Sequence, residues 1–209
     1  MKKIFKLINA EFKKNKKLYV FISILLVIGF LAGTLFITIL SSQDKKLIEE
    51  TISNFFLQIK NNNIDLIYTF RTSLTTNLVY VLLMFFLGIS IIGIPIIVFL
   101  IFIKSFVLGF SIVSIIFKYK LGGTLLSLGY IFPHQILNLI IISFIGLYAL
   151  KVSITLIKLI FSKKQVNFKL IIKKYFVVLI LCVILSLISS TLETFLCTNI
   201  IKLFSFLIK

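Results

Sequence analysis

The sequence predicts an all-α integral membrane protein: a polytopic helical bundle of five transmembrane helices, with residues 1–209 forming a single membrane domain. Three observations support this. Hydrophobic residues make up 60% of the chain, whereas soluble domains keep about 45–50% apolar residues. The mean hydropathy is +1.17. Apolar runs long enough to cross a bilayer recur along the chain with few charges inside them.

The distribution of charge predicts the orientation of the bundle. The chain has 23 Lys and Arg residues against 6 Asp and Glu residues, a formal net charge of +17. Lysines are concentrated in residues 1–17 and 151–174, whereas basic and acidic residues balance in residues 41–73. Positive charge stays on the cytoplasmic side of a membrane. We therefore expect the N-terminus and the 151–174 loop inside, residues 41–73 outside, and no nucleic-acid partner.

These sides fix how many times the chain crosses the membrane. The first span runs outward, and the last starts inside and leaves the C-terminus outside. The apolar chain between the outer segment and the 151–174 loop must cross an odd number of times, and three crossings of about twenty residues each fit it. The predicted transmembrane helices are 18–40, 74–92, 95–117, 123–150 and 175–196.

The N-terminal segment, residues 1–17, is predicted to be a cytoplasmic, basic amphipathic segment. Ile4, Phe5, Ile8 and Phe12 recur at helical spacing between lysines. Such a helix lies on the inner leaflet, where anionic membrane lipid contributes roughly 1 kcal/mol per lysine. The alternative is that these lysines only determine topology. The apolar run that follows is too long for a cleaved signal peptide and no small-residue cleavage site closes it, so we expect an uncleaved first span.

The outer segment, residues 41–73, is predicted to be an extracytoplasmic amphipathic segment. Apolar residues that include Phe55 and Phe56 recur at helical spacing opposite charged residues. This stripe either lies on the outer leaflet or caps the bundle, or it docks the membrane anchor or ectodomain of a partner. Phe55 and Phe56 are therefore candidate partner contacts.

Lys104 lies inside the apolar stretch "GIPIIVFLIFIKSFVLGF" at 93–110. If the third span starts at Pro95, which suits the first turn of a helix, Lys104 lies roughly 13 Å along the axis. Three alternatives stay open: the side chain extends to the headgroups, the helix starts later, or the lysine is buried against a partner. Glu193 is the acid predicted to lie within a span, but it is near the far end of its helix, and we expect no pairing with Lys104.

Small and polar residues inside the spans are candidates for helix packing. Gly88, Gly93 and Gly109 would allow helices to approach closely. The fourth span carries "FPHQILN" at 132–138. Pro133 frees a backbone carbonyl there, and Gln135 and Asn138 share one helix face. We interpret His134 as a hydrogen-bonded packing residue.

The residues that catalysis requires do not form a recognisable pattern. Metal sites need several His, Cys or carboxylate ligands close together, but the chain has one His and the two distant cysteines Cys182 and Cys197. The acidic residues of 41–73 lie in an amphipathic stretch with no glycine or rigid turn to fix them as a catalytic pair. We therefore predict a protein that is not an enzyme, with no catalytic residue, metal or cofactor.

Three stretches resemble the stage II sporulation protein M family: "LGISIIGIPIIVFLIFIKSFVLGFSI" (87–112), "IFPHQILNLIIIS" (131–143) and "SLISSTLETFLCTNIIKLF" (186–204). The resemblance covers nearly the whole chain. The motif positions that match are Gly88, Gly93, Pro95, Lys104, Gly109, Pro133, Gln135, Asn138 and Glu193.

The resemblance implies a function and a location. It implies a non-catalytic scaffold that holds two septal peptidoglycan hydrolases, a lytic transglycosylase and an amidase/endopeptidase, during engulfment of the forespore. The location that it implies is the cell membrane, on the mother-cell side of the sporulation septum. Polar residues and broken helices in mid-membrane leave a small transporter open as the alternative. Two copies of the chain could form a pathway together, so a homo-oligomer also stays open.

Overall fold

The computed structural model describes residues 15–61, 63–162 and 168–204, and the regular structure in these ranges is helical. The helices are, in chain order, α1 (Lys16–Ile39), α2 (Ser42–Lys60), α3 (Leu66–Gly88), α4 (Gly93–Tyr119), α5 (Leu121–Ser162), α6 (Phe168–Thr191) and α7 (Thr198–Leu203), with a π-helical segment, Leu192–Cys197, between α6 and α7. Most of the predicted basic N-terminal segment lies outside the described residues.

Five helical stretches are long and apolar enough to cross a membrane, which confirms the all-α, five-span prediction. They are Lys16–Ile39, Leu66–Gly88, Gly93–Tyr119, Leu121–Phe161 and Phe168–Lys202. The side of the membrane that each end faces stays a prediction, because it rests on charge alone.

Caps explain why the helices around the outer segment begin where they do. The Asp65 carboxylate accepts hydrogen bonds from the backbone N–H groups of Ile67 (2.9 Å) and Tyr68 (3.1 Å). It therefore satisfies two of the N–H groups that a helix start leaves unpaired. This cap starts α3 at Leu66, well before the span predicted at 74–92. Ser41 caps α2 by accepting from the backbone N–H of Asp44.

The segment predicted as a loop at 151–174 is helical where it is described. Helix α5 has 42 residues and continues to Ser162, and α6 begins at Phe168. At 1.5 Å per residue, a helix of this length reaches about 60 Å, roughly twice the hydrocarbon thickness of a bilayer. The loop prediction is wrong for these parts because residues 151–174 contain no Gly or Pro to end a helix.

Helices α1 and α4 run parallel and in close contact. The Ser105 hydroxyl of α4 donates to the Leu26 carbonyl of α1 at 2.6 Å. A side chain at Gly33 would overlap the backbone of Phe106, and one at Gly109 would overlap the backbone of Phe30. Glycine at these positions allows the two backbones to approach each other, as it does in many transmembrane helix pairs.

Helix α5 packs against α3, α4 and α6. Short connections make α3 antiparallel to α4, and α4 antiparallel to α5. The starts of α1 and α6 therefore meet the end of α5 at one end of the bundle, which we call the basic end because its lysines line a common cleft. The opposite end carries α2, and we call it the α2 end.

Helix α2 packs on the α2 end through two fully buried side chains. Phe56 is 1% exposed and Ile59 is 0% exposed. Both belong to an apolar cluster with Leu108, Ile115 and other residues of α4, α5 and α7. Lys118 of α4 adds an ion pair to Glu49 of α2 at 3.4 Å. Of the alternatives for this segment, the structure shows the amphipathic stripe capping the bundle, because burying its aromatic side chains stabilises that position.

Candidate functional site: a polar layer and cavity inside the bundle

A layer of polar side chains divides the interior of the bundle. One apolar cluster includes Val81, Ile101, Ile141 and Cys182, and the other includes Leu108, Ile131 and Ile201. On each helix of the core, polar residues fall between the members of the two clusters: Ser73 and Asn77 on α3, Lys104 and Ser105 on α4, His134, Gln135 and Asn138 on α5, and Ser186, Ser189 and Ser190 on α6. An ionisable residue inside a membrane bundle is a candidate functional residue, and this layer contains Lys104 and His134.

The layer surrounds a cavity of about 320 Å³. Its walls come from α2, α3, α4, α5 and the π-helical segment. The lining residues are Phe55, Tyr68, Thr69, Thr72, Ser73, Thr76, Asn77, Lys104, Tyr130, Gln135, Asn138 and Glu193. The cavity follows α3 from Tyr68, near its start, to Asn77, so that it extends from the α2 end into the middle of the bundle.

Glu193 joins three helices at this cavity. Its Oε2 atom accepts a hydrogen bond of 2.5 Å from the Ser73 hydroxyl of α3. Its Oε1 atom lies 3.9 Å from Nε2 of His134 on α5. The side chain of His134 is 2% exposed and that of Glu193 is 21% exposed. A carboxylate inside a membrane bundle is costly unless polar groups surround it, and Ser73 and His134 supply two of them.

Hydrogen bonds between side chains extend the layer from Glu193 across α3, α5 and α6. The Ser189 hydroxyl donates to Oδ1 of Asn138 at 2.8 Å and approaches the His134 carbonyl at 3.1 Å. The Asn77 amide donates to the Ser190 hydroxyl at 3.2 Å. These bonds satisfy groups that would otherwise be unpaired in an apolar interior, and they fix the register of the three helices.

The backbone at Glu193 departs from α-helical geometry. Residues Leu192–Cys197 form a π-helix. Such segments insert an extra residue into a turn and are frequent at functional sites. Glu193 is the second residue of this segment and follows Ser190 of α6 by three residues, and both contact Ser73.

Lys104 lines the polar cavity. Helix α4 begins at Gly93, so the alternative of a later helix start is wrong. The ammonium nitrogen lies 4.8 Å from the centre of the Tyr80 ring, close enough for a cation–π contact. Lys104 lines the same cavity as Glu193. Within the described residues no ion pair joins Lys104 to Glu193, so the expectation that the two do not pair is not contradicted, although they share this cavity.

The structure also places the other residues predicted from sequence. Asn138 is 3% exposed and belongs to the layer, and Gln135 lines the cavity. Pro133 lies inside α5 and Pro95 in the first turn of α4. A side chain at Gly88 would lie 2.7 Å from Cα of Ala149 on α5, and one at Gly93 would overlap the backbone of Leu87.

Two aromatic candidates of α2 have different positions. Phe56 is buried in the apolar cluster, whereas Phe55 is half-buried and lines the cavity. The Phe55 ring lies 5.3 Å from the ring of Tyr130. Phe55 is therefore the one that covers the cavity at the α2 end.

Sequence reasoning missed Ser73, Asn77, Ser189 and Ser190, and it interpreted His134 only as a packing residue. A signal was present: Ser73 and Asn77 are four residues apart, as are Ser186 and Ser190, and each pair shares a helix face. Such a polar face on two apolar spans predicts contact between them.

The order of groups differs from that of a hydrolytic triad. In such a triad a histidine stands between the serine and the carboxylate and takes the serine proton. Here Glu193 stands between Ser73 and His134.

Within the described ranges, no group of three or more His, Cys, Asp or Glu side chains is arranged to hold a metal ion. The arrangement can bind and orient a small polar group through one carboxylate, one ammonium and several amides and hydroxyls.

The fold and the cavity together define a class: a five-span α-helical membrane protein with a polar layer across its core. The sequence profile of a known family, described as stage II sporulation protein M, matches residues 22–198. The chain belongs to the stage II sporulation protein M family and is a membrane protein of a sporulation family. No curated protein and no solved structure matches it significantly.

Proposed function

We propose that this protein is a non-catalytic membrane scaffold that holds septal peptidoglycan hydrolases, a lytic transglycosylase and an amidase/endopeptidase, during forespore engulfment. The observation that carries the proposal is the family match over residues 22–198. Its place would be the cell membrane on the mother-cell side of the septum. Because peptidoglycan lies outside the membrane, the partners would meet the α2 end, which the charge distribution predicts to be outside.

The α2 end offers a surface that suits such partners. Between α2, α4 and α5 lies an apolar groove of about 470 Å³. Its lining residues are Leu47, Ile48, Thr51, Ile52, Phe55, Phe56, Phe110, Ser111, Ser114, Ile115, Tyr130 and Ile131. Leu47 stands at this groove with 64% of its surface exposed. A groove of this composition fits an apolar helix, such as the membrane anchor of a hydrolase partner.

The buried position of Phe56 decides which variant tests the contact. Replacing Phe56 would remove a buried aromatic side chain, which costs about 3–5 kcal/mol in protein cores, so the loss of partners would then reflect misfolding. Leu47 is exposed and lines the groove, so Leu47→Ser keeps the core intact. Leu57→Ser is the matched control, because Leu57 is 37% exposed on the same helix and does not line the groove.

The experiment is co-purification of both hydrolases with the tagged protein from detergent extracts of sporulating cells. We expect Leu47→Ser to reduce recovery of the hydrolases several-fold, at unchanged membrane level of the protein, and to slow engulfment seen with a membrane dye. Leu57→Ser should behave as the wild type. Full recovery of both hydrolases with Leu47→Ser would reject the groove as their contact, and failure of the wild type to recover them would reject the scaffold.

The polar cavity favours a second candidate, a small transporter. Transporters bind substrates near mid-membrane with polar groups beside irregular helices, and Lys104, Glu193 and the π-helical segment fit that description. Proton flux into liposomes that contain the purified protein separates the two functions. A transporter predicts flux that Glu193→Gln reduces, whereas a scaffold predicts the flux of empty liposomes.

A further inference from the structure

A second cavity lies at the basic end of the bundle. It is a cleft of about 670 Å³ between the start of α1, the end of α5 and the start of α6. Five lysines line it: Lys16, Lys17, Lys151, Lys158 and Lys174. Lys16 and Lys17 of α1 are far in sequence from the lysines of α5 and α6, so the fold creates the cleft.

The lining of the cleft, in the part of the chain that the structure describes, includes no Asp or Glu. Of the acidic residues that the structure describes, Asp44, Glu49, Glu50 and Asp65 are on α2 or at the start of α3, at the α2 end. Glu193 lies at the polar cavity. Like charges that are gathered in a cleft with low-dielectric walls raise the local potential and attract anions. The positive end of the α1 dipole adds to this potential.

The remaining walls of the cleft are apolar. Leu18, Ile154, Leu170 and Ile171 line it beside the lysines. The cleft also lies where α1 and α6 begin, at the ends of the apolar spans. Ammonium groups next to apolar side chains at this level match a phospholipid, whose charged phosphate is joined to acyl chains.

We infer that this cleft binds the phosphate-bearing headgroup of an anionic phospholipid. Lys16, Lys17 and Lys158 alone provide charge for more than one phosphate, so a lipid with two phosphates, such as diphosphatidylglycerol, uses the cleft most fully. Free phosphate shares the headgroup chemistry but not the acyl chains, and the apolar wall favours the lipid. Lipid binding at this cleft is independent of the scaffold function and of which hydrolases bind.

The experiment measures lipid binding to the purified full-length protein by native mass spectrometry from detergent micelles. Diphosphatidylglycerol and phosphatidylcholine are titrated in parallel, and sodium pyrophosphate serves as the soluble competitor. The test variant is Lys17→Gln with Lys158→Gln, two lysines of the cleft. The matched control is Lys169→Gln with Lys173→Gln, two exposed lysines of α6 outside the cleft lining.

We expect tight binding of diphosphatidylglycerol and weak binding of phosphatidylcholine. The test variant should weaken diphosphatidylglycerol binding by about fivefold per lysine, roughly 25-fold in all, since each lysine near a lipid surface contributes about 1 kcal/mol. The control variant should bind as the wild type. Equal weakening in both variants would overturn the inference, because it would mean general attraction to positive charge.

Two further results would also decide the question. Complete displacement of the lipid by pyrophosphate at equal phosphate concentration would mean that the cleft binds a soluble anion, and it would overturn the inference that the ligand is a phospholipid. The melting temperature of each variant in lipid-free detergent checks folding. An unchanged melting temperature together with weakened lipid binding supports lipid binding at the cleft. If the double variant fails to fold, the single variant Lys17→Gln is used in its place, provided that its melting temperature equals that of the wild type.

Discussion

Lys104 and Glu193 show how two ionisable residues are accommodated inside an apolar bundle. Each has a partner from a different helix: the Tyr80 ring for Lys104, and the Ser73 hydroxyl and His134 for Glu193. They also line one cavity of about 320 Å³. Because the cavity walls contain both charges, each charge lowers the cost of keeping the other in the membrane.

We expect the two residues to be energetically coupled. Lys104→Leu and Glu193→Leu should each lower the free energy of unfolding, by about 1–3 kcal/mol where a buried group loses its partner. The double variant should lose less than the sum, by about 0.5–3 kcal/mol, the range for groups that share a site. The measurement is a double-mutant cycle from denaturant unfolding in detergent micelles.

Lys118 provides the control for this cycle. It pairs with Glu49 on the surface of the α2 end. Lys118→Leu combined with Glu193→Leu should therefore be additive. Additive losses for Lys104 and Glu193 as well would show that the cavity does not couple them.

At the scale of elements, the parallel contact of α1 and α4 depends on glycine. Gly29 and Gly33 are four residues apart, a spacing that favours close helix contacts, and Gly109 faces them from α4. Because lipid chains are as apolar as the helix surfaces, the hydrophobic effect does not drive helix association in a membrane. Direct backbone contact and the hydrogen bond from Ser105 to Leu26 therefore stabilise this pair.

Gly33→Ala and Gly109→Ala should each separate α1 from α4. The added methyl group would overlap a backbone carbonyl, which cannot rotate away, and overpacking of this kind costs about 1–3 kcal/mol. We expect a lower melting temperature in detergent for both variants. Gly146→Ala is the control, because its methyl group would meet the tip of the Ile101 side chain at 2.8 Å, and that tip can change rotamer. A melting temperature equal to that of the wild type for Gly33→Ala would contradict the close contact.

Across the described part of the molecule, lysines of the two lysine-rich segments meet at one end, and the acidic residues other than Glu193 lie at the other. The five spans make the start of α1 and the end of α6 lie at opposite ends of the bundle. The charge distribution agrees with the prediction that the basic end is cytoplasmic, which rests on the general behaviour of positive charge in membrane proteins.

Cysteine labelling tests this orientation. The native Cys182 and Cys197 are buried and are first replaced. A single cysteine in place of the exposed Asn54 of α2 should then react with a membrane-impermeant reagent in intact cells. One in place of the exposed Lys169 of α6 should react only after the membrane is opened. The reverse pattern would mean that the bundle is inserted with the basic end outside.

Sequence alone determined the class of this protein and the number of its spans. Each membrane crossing requires about twenty consecutive apolar residues, so every span is a continuous stretch of sequence that can be recognised by itself. The sequence also identified Lys104, Gln135, Asn138 and Glu193 as polar residues inside apolar spans, because such residues can be recognised without a structure. Sequence reasoning missed Gly29 and Gly33, although their spacing of four residues is a signal for a close helix contact.

Only the tertiary structure decided which of these residues meet. Whether Glu193 reaches Ser73, His134 and the cavity of Lys104 depends on the rotation and register of the helices that carry these residues, and Glu193 itself lies in a π-helical segment. The burial of Phe56 between α2 and the helices that it packs against was likewise set by packing. The physical reason is that hydropathy acts along the chain, whereas these contacts act between segments far apart in sequence, where many helix pairings satisfy the same apolar pattern.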